Sequence, residues 1–204
     1  IEIWTVKEGQ LKTDQHVDKL LNYIRFWQAE GESRKTGARV KDAQETFAKA
    51  GKFIGGYAPL GYRLVPSGEI SNHGRLLKKL VIDPEKAPVI RKIFEYAVNY
   101  NYGALKIAKV LNEEGIAAPN TTWKACTVAE ILKNPVYMGY IAYNRRQHSK
   151  CGGNFERMPM EKWIMSDQQN PELVIIPKEI WYKAQAMRED RKAGIKRGRD
   201  TENR

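Results

Sequence analysis

The segment Gly51-Lys-Phe-Ile-Gly-Gly-Tyr-Ala-Pro-Leu-Gly-Tyr62 separates two parts of the chain that have different sequence patterns. Its four glycines and one proline disfavour regular structure, and Gly51 stands where a helix is expected to end. A Walker loop needs a Lys-Ser/Thr pair that enters a helix, and a dinucleotide fingerprint needs a strand before its glycines. Here a predicted helix precedes the glycines and a predicted strand follows them. We therefore interpret residues 51–62 as a linker and not as a nucleotide-binding loop.

The sequence before the linker predicts one long helix over residues 13–50. This stretch has no proline, and apolar residues recur at helical spacing from Val17 to Trp27. Beyond Gly31 the apolar stripe thins and basic residues become frequent. Residues 1–6 alternate apolar and polar in the manner of a half-buried strand, which is not stable alone. Residues 1–50 are therefore interpreted as the end of a domain that starts upstream, namely its last strand and a connecting helix.

After the linker, the pattern predicts a hairpin and then a series of helices. The hairpin strands are expected at residues 62–65 and 76–82. Asp83-Pro84-Glu85 has the composition of a helix start, because an Asp cap and a proline both suit the first turn. Thr127-Val-Ala-Glu130 matches a capping box, in which the Thr and Glu side chains satisfy free amides. The helices are predicted over residues 83–100, 103–113 and 127–133.

The last third of the chain predicts short strands followed by one helix. Residues 137–144 and 163–165 are the best candidates for a strand pair, and a helix is expected over residues 177–189. The polar, basic tail from Arg188 onwards is expected to fray. The predicted fold class is α+β, with a long N-terminal connecting helix followed by a mixed domain of helices, arranged like a helix-turn-helix, and a small antiparallel sheet. This domain is predicted to span residues 63–190, and residues 191–204 form a basic tail.

The charge of the chain indicates a polyanionic partner. The formal net charge is +11, and it is unevenly spread: −1 over residues 1–30, +6 over 31–80, +1 over 81–140 and +5 over 141–204. So basic a chain is attracted to nucleic acid, and the excess lies on both sides of the predicted helices. We therefore predict nucleic-acid binding.

Other classes of function find little support in the sequence. No apolar run approaches the roughly 20 residues that span a bilayer, so a cytoplasmic protein without a membrane partner is expected. The two cysteines, Cys126 and Cys151, have no second Cys or His at ligand spacing, so neither a metal site nor a cofactor is predicted. No serine has a neighbouring base in the sequence, and no catalytic residue is assigned within these 204 residues.

The predicted helix-turn-helix supplies most of the candidate DNA contacts. Its outward positions are small, basic or able to donate hydrogen bonds, which suits a major groove. Glycines in the linker let a backbone approach a minor groove closely, and basic residues on either side of the linker and after the third helix suit phosphates. The candidate DNA-contacting residues are Arg39, Lys52, Gly55, Gly56, Arg63, Thr121, Thr122, Lys124, Thr127, Ala129, Lys133, Arg145 and Arg146.

A series of short motifs, in consistent order, resembles the recombinase domain of the large serine recombinases, the family of phage integrases and of transposon and sporulation-element recombinases. The motifs are Gly55-Gly-Tyr-Ala-Pro-Leu-Gly-Tyr62, Val81-Ile-Asp-Pro84, Arg91-Lys-Ile-Phe94, Ile107-Ala-Lys-Val-Leu-Asn112, Gly115-Ile116, Trp123 and Ile131-Leu-Lys-Asn-Pro-Val-Tyr-Met-Gly-Tyr140.

The resemblance implies a division of labour between this chain and segments outside it. In the family, an upstream resolvase-type domain carries a serine that attacks a DNA phosphate without a metal ion, and a tetramer exchanges the strands. That serine would lie before Ile1, and the family's zinc ribbon would lie after Arg204. The resemblance further implies that the segment after the long helix follows the minor groove and that the helix near residues 127–133 enters the major groove. The expected partners are a double-stranded attachment site and further copies of the protein.

Two other functions remain open at this point. A non-catalytic transcription regulator could use the same helix-turn-helix with a dimerising helix. A protein-interaction module could use the predicted helix at residues 13–50 to bind another chain.

Overall fold

The structure of the protein is a computed structural model, and it describes residues 3–5, 9–11, 16–70, 74, 76–148 and 155–202. The chain divides into two compact units, Ile1–Glu45 and Thr46–Arg204. The first unit contains β1 (Ile3–Thr5) and β2 (Gly9–Leu11), which pair antiparallel, and most of helix α1 (His16–Lys49). The strand predicted near the N-terminus therefore forms, and its partner lies in the same chain at a position that the pattern did not predict.

The apolar stripe in the first part of α1 is exposed. Leu20, Ile24 and Trp27 follow the helical spacing seen in the sequence, and 67% of Trp27 is accessible to solvent. One turn further along, Arg34 and Glu30 form an ion pair (2.7 Å). At this spacing of four residues, an exposed pair stabilises a helix by about 0.3–0.5 kcal/mol. Among the described residues, no helix combines the length and the apolar character needed to cross a membrane.

The C-terminus of α1 ends in a Schellman motif, as the sequence predicted for Gly51. Gly51 has a positive φ of 73°. Its amide donates to the Ala48 carbonyl (3.0 Å), and the amide of Lys52 donates to the Phe47 carbonyl (2.9 Å). The Lys49 carbonyl, which the helix leaves free, accepts a hydrogen bond from the amide of Asp167 (3.0 Å). The end of the helix is therefore anchored to the body of the second unit.

The glycine segment then leads directly into the hydrophobic core. Gly61 has a φ of 89°, and a Cβ atom at this position would lie 2.9 Å from Ile90 Cγ1. Only glycine combines this backbone conformation with so close an approach. The segment predicted as a linker thus lies within the second unit, and its last residues are packed.

Two buried tyrosines fasten this segment to the middle of the chain. The Tyr62 hydroxyl lies 2.8 Å from the Val136 carbonyl oxygen and 2.6 Å from that of Leu173, so it donates to both as a three-centre bond. The Tyr137 hydroxyl donates to the Leu60 carbonyl (2.9 Å), and the two rings stack with centroids 5.8 Å apart. Burial raises the pKa of both hydroxyls, so they remain neutral donors.

Tyr62 also begins the hairpin that was predicted after the linker. Strand β3 (Tyr62–Ile70) pairs antiparallel with β4 (Leu76–Ile82), with Tyr62 opposite Ile82. Strand β3 extends beyond its predicted end at residue 65, and its register to β4 shifts between Pro66 and Ile70. Residues 66–69, which were expected to begin the turn, belong instead to β3, and residues 71–73 and 75 lie outside the described residues.

Four α-helices follow in the described part of the second unit. They are α2 (Ala87–Val98), α3 (Ala104–Glu113), α4 (Ala125–Lys133) and α5 (Lys178–Glu202). Helix α2 starts after the predicted Asp83 because this carboxylate accepts from the Glu85 amide (3.1 Å) and caps a turn that precedes the helix. Helix α5 continues past its predicted end at residue 189. The prediction that the tail frays from Arg188 onwards is therefore wrong for residues 188–202. The fully buried residues include Ile90, Phe94, Ile107, Leu111, Val128, Leu132 and Trp181.

The described residues between α4 and α5 form two short strand pairs. Strand β5 (Ala142–Tyr143) pairs antiparallel with β8 (Ile164–Met165), which confirms the predicted pairing. The first strand is shorter than the predicted residues 137–144, because residues 135–137 form a 3-10 helix. Strand β6 (Arg146–His148) pairs with β7 (Phe155–Arg157), and the loop between them, residues 149–154, lies outside the described residues. The fold is α+β, as predicted, with a long N-terminal helix and small antiparallel sheets.

Candidate nucleic-acid interface

Helix α4 is held against the core by its apolar face. Val128, Ile131 and Leu132 are buried, and the helix packs against α3. The turn between the two helices is fixed by Trp123, whose amide donates to Asn112 Oδ1 (2.8 Å) while its carbonyl accepts from Asn112 Nδ2 (3.0 Å). The start of α4 is therefore set by contacts to α3, in the layout of a helix-turn-helix.

The capping box predicted at Thr127 is wrong. The helix begins at Ala125, its N-cap is Lys124, and the Lys124 carbonyl already accepts from the Val128 amide (3.1 Å). Thr127 is thus inside the first turn and half-buried. The physical reason is that the hydrogen bonds between Trp123 and Asn112 fix the backbone just before Lys124, so the helix starts two residues before the Thr127 start that the local sequence predicts.

The solvent-facing side of α4 carries two small side chains, one acidic side chain and one basic side chain. Cys126, Ala129, Glu130 and Lys133 fall at spacings of three and four residues, which place them on one face of a helix. Cys126 is exposed, and the other three are half-buried. Burial, and then the nearby Arg188, lowers the pKa of the Lys133 ammonium. Because Cys126 and Ala129 are small, few side-chain atoms project from this face, and the basic residues lie around it.

Three guanidinium groups converge on Glu130 in the middle of this face. Glu130 Oε1 lies 3.2 Å from Arg157 Nη1, and Glu130 Oε2 lies 3.4 Å from Arg146 Nη2 and 3.7 Å from Arg145 Nη2. Arg146 and Arg157 are more than half exposed, whereas Arg145 has only 24% of its side chain accessible. With one carboxylate against three cations, the cluster keeps a net positive charge.

Arg145 is anchored as well as charged. Its guanidinium lies over the Trp163 ring, with Cζ 5.1 Å from the centroid, and burial lowers its pKa. Its Nε is buried and has no hydrogen-bond partner among the described residues. Arg145, one of the predicted DNA contacts, is thus partly committed to packing, and its neighbour Arg146 is the more accessible of the two.

Helix α5 extends the basic surface. Gln185 Nε2 donates to the Leu132 carbonyl (2.6 Å), which ties α5 to the last turn of α4. Arg188 contacts Gln185 Oε1 and lies close enough to Lys133 to affect its pKa. Lys192, one turn further along, pairs with Glu189 (2.8 Å) and also acts electrostatically on Lys133. We use the term α4 basic surface for Lys124, Lys133, Arg145, Arg146, Arg157, Arg188 and Lys192.

The structure brings together only some of the candidate residues. Thr121 and Thr122 are exposed in the turn before α4 and are close in sequence to Lys124. Arg145 and Arg146 meet at Glu130, and Lys133 lies on the same face of α4, close enough to Glu130 to interact with it electrostatically. Sequence reasoning missed Arg157, Arg188 and Lys192, because the contacts that join them to α4 cross long stretches of chain; the regional charge excess was the only signal.

The remaining candidates lie on other elements. Arg39 is exposed on α1, in the first unit, and Arg63 is exposed on β3. Lys52 forms an ion pair with Glu69 (2.7 Å) at the far part of β3. Gly56 is exposed with open space around it, whereas a Cβ on Gly55 would lie 2.4 Å from the Phe53 ring. Among the described residues, no group of three His, Cys, Asp or Glu side chains could hold a metal ion.

Comparison with known proteins adds a family and a fold. The model of the family described as Recombinase matches residues 84–191, more than half of the chain. A solved structure described as "Crystal Structure of a LSR-DNA Complex" matches 74% of this chain at 18% identity, with a TM-score of 0.50. A second, described as "Sequence Requirements of the Listeria innocua prophage attP site", matches 74% of this chain at 18% identity, with a TM-score of 0.49. At this identity the likeness to the first structure is one of fold alone. The chain covers 38% of the first protein and 51% of the second.

Proposed function

Because this chain belongs to the Recombinase family, we propose that it is the DNA-binding part of a site-specific serine recombinase. The observation that carries the proposal is the α4 basic surface, which surrounds the shallow outer face of a helix in a helix-turn-helix layout. The fold likeness to a protein solved in a complex with DNA supports the same function. The proposed partner is the double-stranded attachment site of a mobile element.

In the proposed binding mode, α4 lies in the major groove. Cys126 and Ala129 are small enough to let the helix backbone approach the base edges, and Thr127 adds a hydroxyl near its start. Lys124, at the start of the helix, reaches toward the flanking phosphates, and Lys133, on the outer face of the last turn, reaches toward the base edges. The opposite face, with Val128 and Leu132, remains in the core, so the helix presents one fixed side to DNA.

The glycine segment is proposed to follow the neighbouring minor groove. Its last residues are locked in the core by Tyr62, while Lys52 and Tyr57 are exposed ahead of them. A backbone with Gly55 and Gly56 can approach a groove without side-chain clashes. The anchored end would then fix the distance between the minor-groove segment and α4.

The chemistry of strand exchange is proposed for the whole protein and not for these residues. By family resemblance, a serine in an upstream domain forms the phosphoserine link, and copies of the protein assemble on two attachment sites. The role of this chain is to place that domain on the correct sequence. DNA as the substrate makes the cytoplasm the proposed location.

Salt dependence of DNA binding tests the proposal. A duplex selected from a random library supplies the specific site, and fluorescence anisotropy gives Kd at several salt concentrations. Each phosphate contact contributes about 0.9 to the slope of log K against log salt, so five or six contacts predict a slope of roughly −5. A chain that does not bind any duplex, or whose affinity does not change with salt, would contradict the proposed function.

A further inference from the structure

Glu130 is the one carboxylate in the sequence of α4, and its position is unexpected for a DNA-facing helix. A negative charge close to the phosphate chain repels it. Both oxygens of Glu130 are occupied by guanidinium groups, Oε1 by Arg157 and Oε2 by Arg146 and Arg145. The main interactions of this carboxylate are therefore with the three arginines.

The arginines that Glu130 contacts belong to a small strand pair. Arg146 and Arg157 are directly opposite each other in the register of β6 and β7. Like charges in opposite positions destabilise a strand pair, and two strands of three residues each are marginal alone. A shared carboxylate on α4 offsets this repulsion and ties both strands to the helix. Arg145 directly precedes β6, lies over the Trp163 ring and contacts the same carboxylate.

Each of these arginines has donors left after it contacts Glu130. A guanidinium has five N–H groups in a planar fork, and a carboxylate contact uses one or two of them. The side chains of Arg146 and Arg157 are 56% and 58% exposed, so their remaining N–H groups are accessible. A phosphate oxygen is the acceptor that best fits such a pair of forks.

We propose that Glu130 is a positioning residue, which holds Arg146 and Arg157 beside α4 so that both bind the DNA phosphates flanking the groove that α4 enters. This inference rests on the proposed function. It makes a prediction opposite in sign to that of simple electrostatics. If the carboxylate only repelled phosphate, its removal would strengthen binding; if it positions two phosphate contacts, its removal weakens binding.

The test compares two charge-removing substitutions in the same region. Glu130→Gln is expected to weaken binding to the selected duplex by about tenfold and to reduce the salt slope by roughly one to two, as loss of one or two phosphate contacts requires. Glu156→Gln is the matched control, because Glu156 is next to Arg157 on β7 and its side chain lies on the opposite face of the strand. This control is expected to bind DNA as tightly as the wild type or slightly more tightly.

Coupling between residues separates positioning from general damage to the fold. Arg157→Ala should weaken binding by about threefold to tenfold in the wild type, and by much less in the Glu130→Gln background, because the contact is already lost there. If Glu130→Gln lowers the unfolding midpoint, its loss of DNA binding could come from damage to the fold, and the Arg157→Lys variant then tests the proposal. It keeps the charge at an exposed position but removes the fork, and it is expected to weaken binding by about threefold.

Three results would overturn the inference. The first is that Glu130→Gln binds as tightly as Glu156→Gln. The second is that it changes the preferred base at a single position of the site without a general loss, which would make Glu130 a base reader. The third is that Arg157→Lys binds with wild-type affinity. Failure of the wild-type chain to bind any duplex is a different outcome, since it contradicts the proposed function itself.

Discussion

The first part of α1 and the whole of α4 have similar sequence patterns but different environments. Both place apolar residues at helical spacing. In α4, Val128 and Leu132 are completely buried within the second unit, whereas in α1 Leu20, Ile24 and Trp27 are exposed. Periodicity identifies the side of a helix that favours burial, but it does not show whether other parts of the chain cover that side. In α4 it is the polar side that remains as a surface, and this surface is basic.

The largest expected effect comes from the same substitution made in both helices. Leu132→Ala should lower the free energy of unfolding by about 2–5 kcal/mol, because it removes a fully buried side chain and leaves a cavity. Leu20→Ala should change it by less than about 0.5 kcal/mol, since this side chain is already 60% exposed. Urea unfolding followed by circular dichroism measures both values. Equal effects would mean that the two apolar faces do not differ as described.

A smaller effect is expected from two glycines that share a backbone conformation. Gly61 (φ 89°) and Gly68 (φ 84°) both become strained as alanine, at a cost of about 1–2 kcal/mol. Only at Gly61 would the new methyl group meet neighbours, Ile90 Cγ1 at 2.9 Å and Ile175 Cδ1 at 3.2 Å. Gly61→Ala should therefore destabilise the protein by about 1–3 kcal/mol more than Gly68→Ala. Equal losses in thermal unfolding would argue that the glycine segment is not packed in the core.

The smallest expected effect concerns specificity. Lys133→Ala or Thr127→Ala should reduce discrimination between the selected and a random duplex by about 1 kcal/mol, the lower end of what one base contact contributes, because both residues lie on α4. Lys52→Ala should weaken binding to both duplexes equally, as loss of a phosphate contact does. Competition anisotropy gives the two affinities for each variant. If the two α4 variants lost the same affinity on both duplexes, α4 would not be the reading helix.

Local patterns were sufficient to predict much of the secondary structure. Helix α3, the β3–β4 hairpin and the pairing of β5 with β8 follow from apolar spacing and turn residues, and Gly51 was recognised as a helix cap. The start of α4 was missed because it depends on the hydrogen bonds between Asn112 and Trp123, which no local pattern records. The sequence did not predict the full length of α5, because the second half of this helix has no apolar residues at helical spacing.

The candidate site was predicted in outline and not in its contacts. The basic residues after α4 were recognised from charge alone, but the convergence of Arg145, Arg146 and Arg157 on Glu130 depends on a strand pair that brings distant residues together. In the same way, the glycine segment was interpreted as a linker because no local pattern predicts the hydrogen bonds from Tyr62 to carbonyl groups 74 and 111 residues away. Tertiary contacts of this kind decide which basic residues form one surface.

The accessibility of Cys126 in the presence of DNA tests the central claim most directly. Cys126 is exposed on the outer face of α4, and Cys151→Ser leaves it as the one thiol of the chain. If α4 enters the major groove, the selected duplex at ten times Kd should slow alkylation of Cys126 by about tenfold, and salt that dissociates the complex should restore the rate. An unchanged alkylation rate, with anisotropy showing that the complex has formed, would contradict the claim that this face of α4 binds DNA.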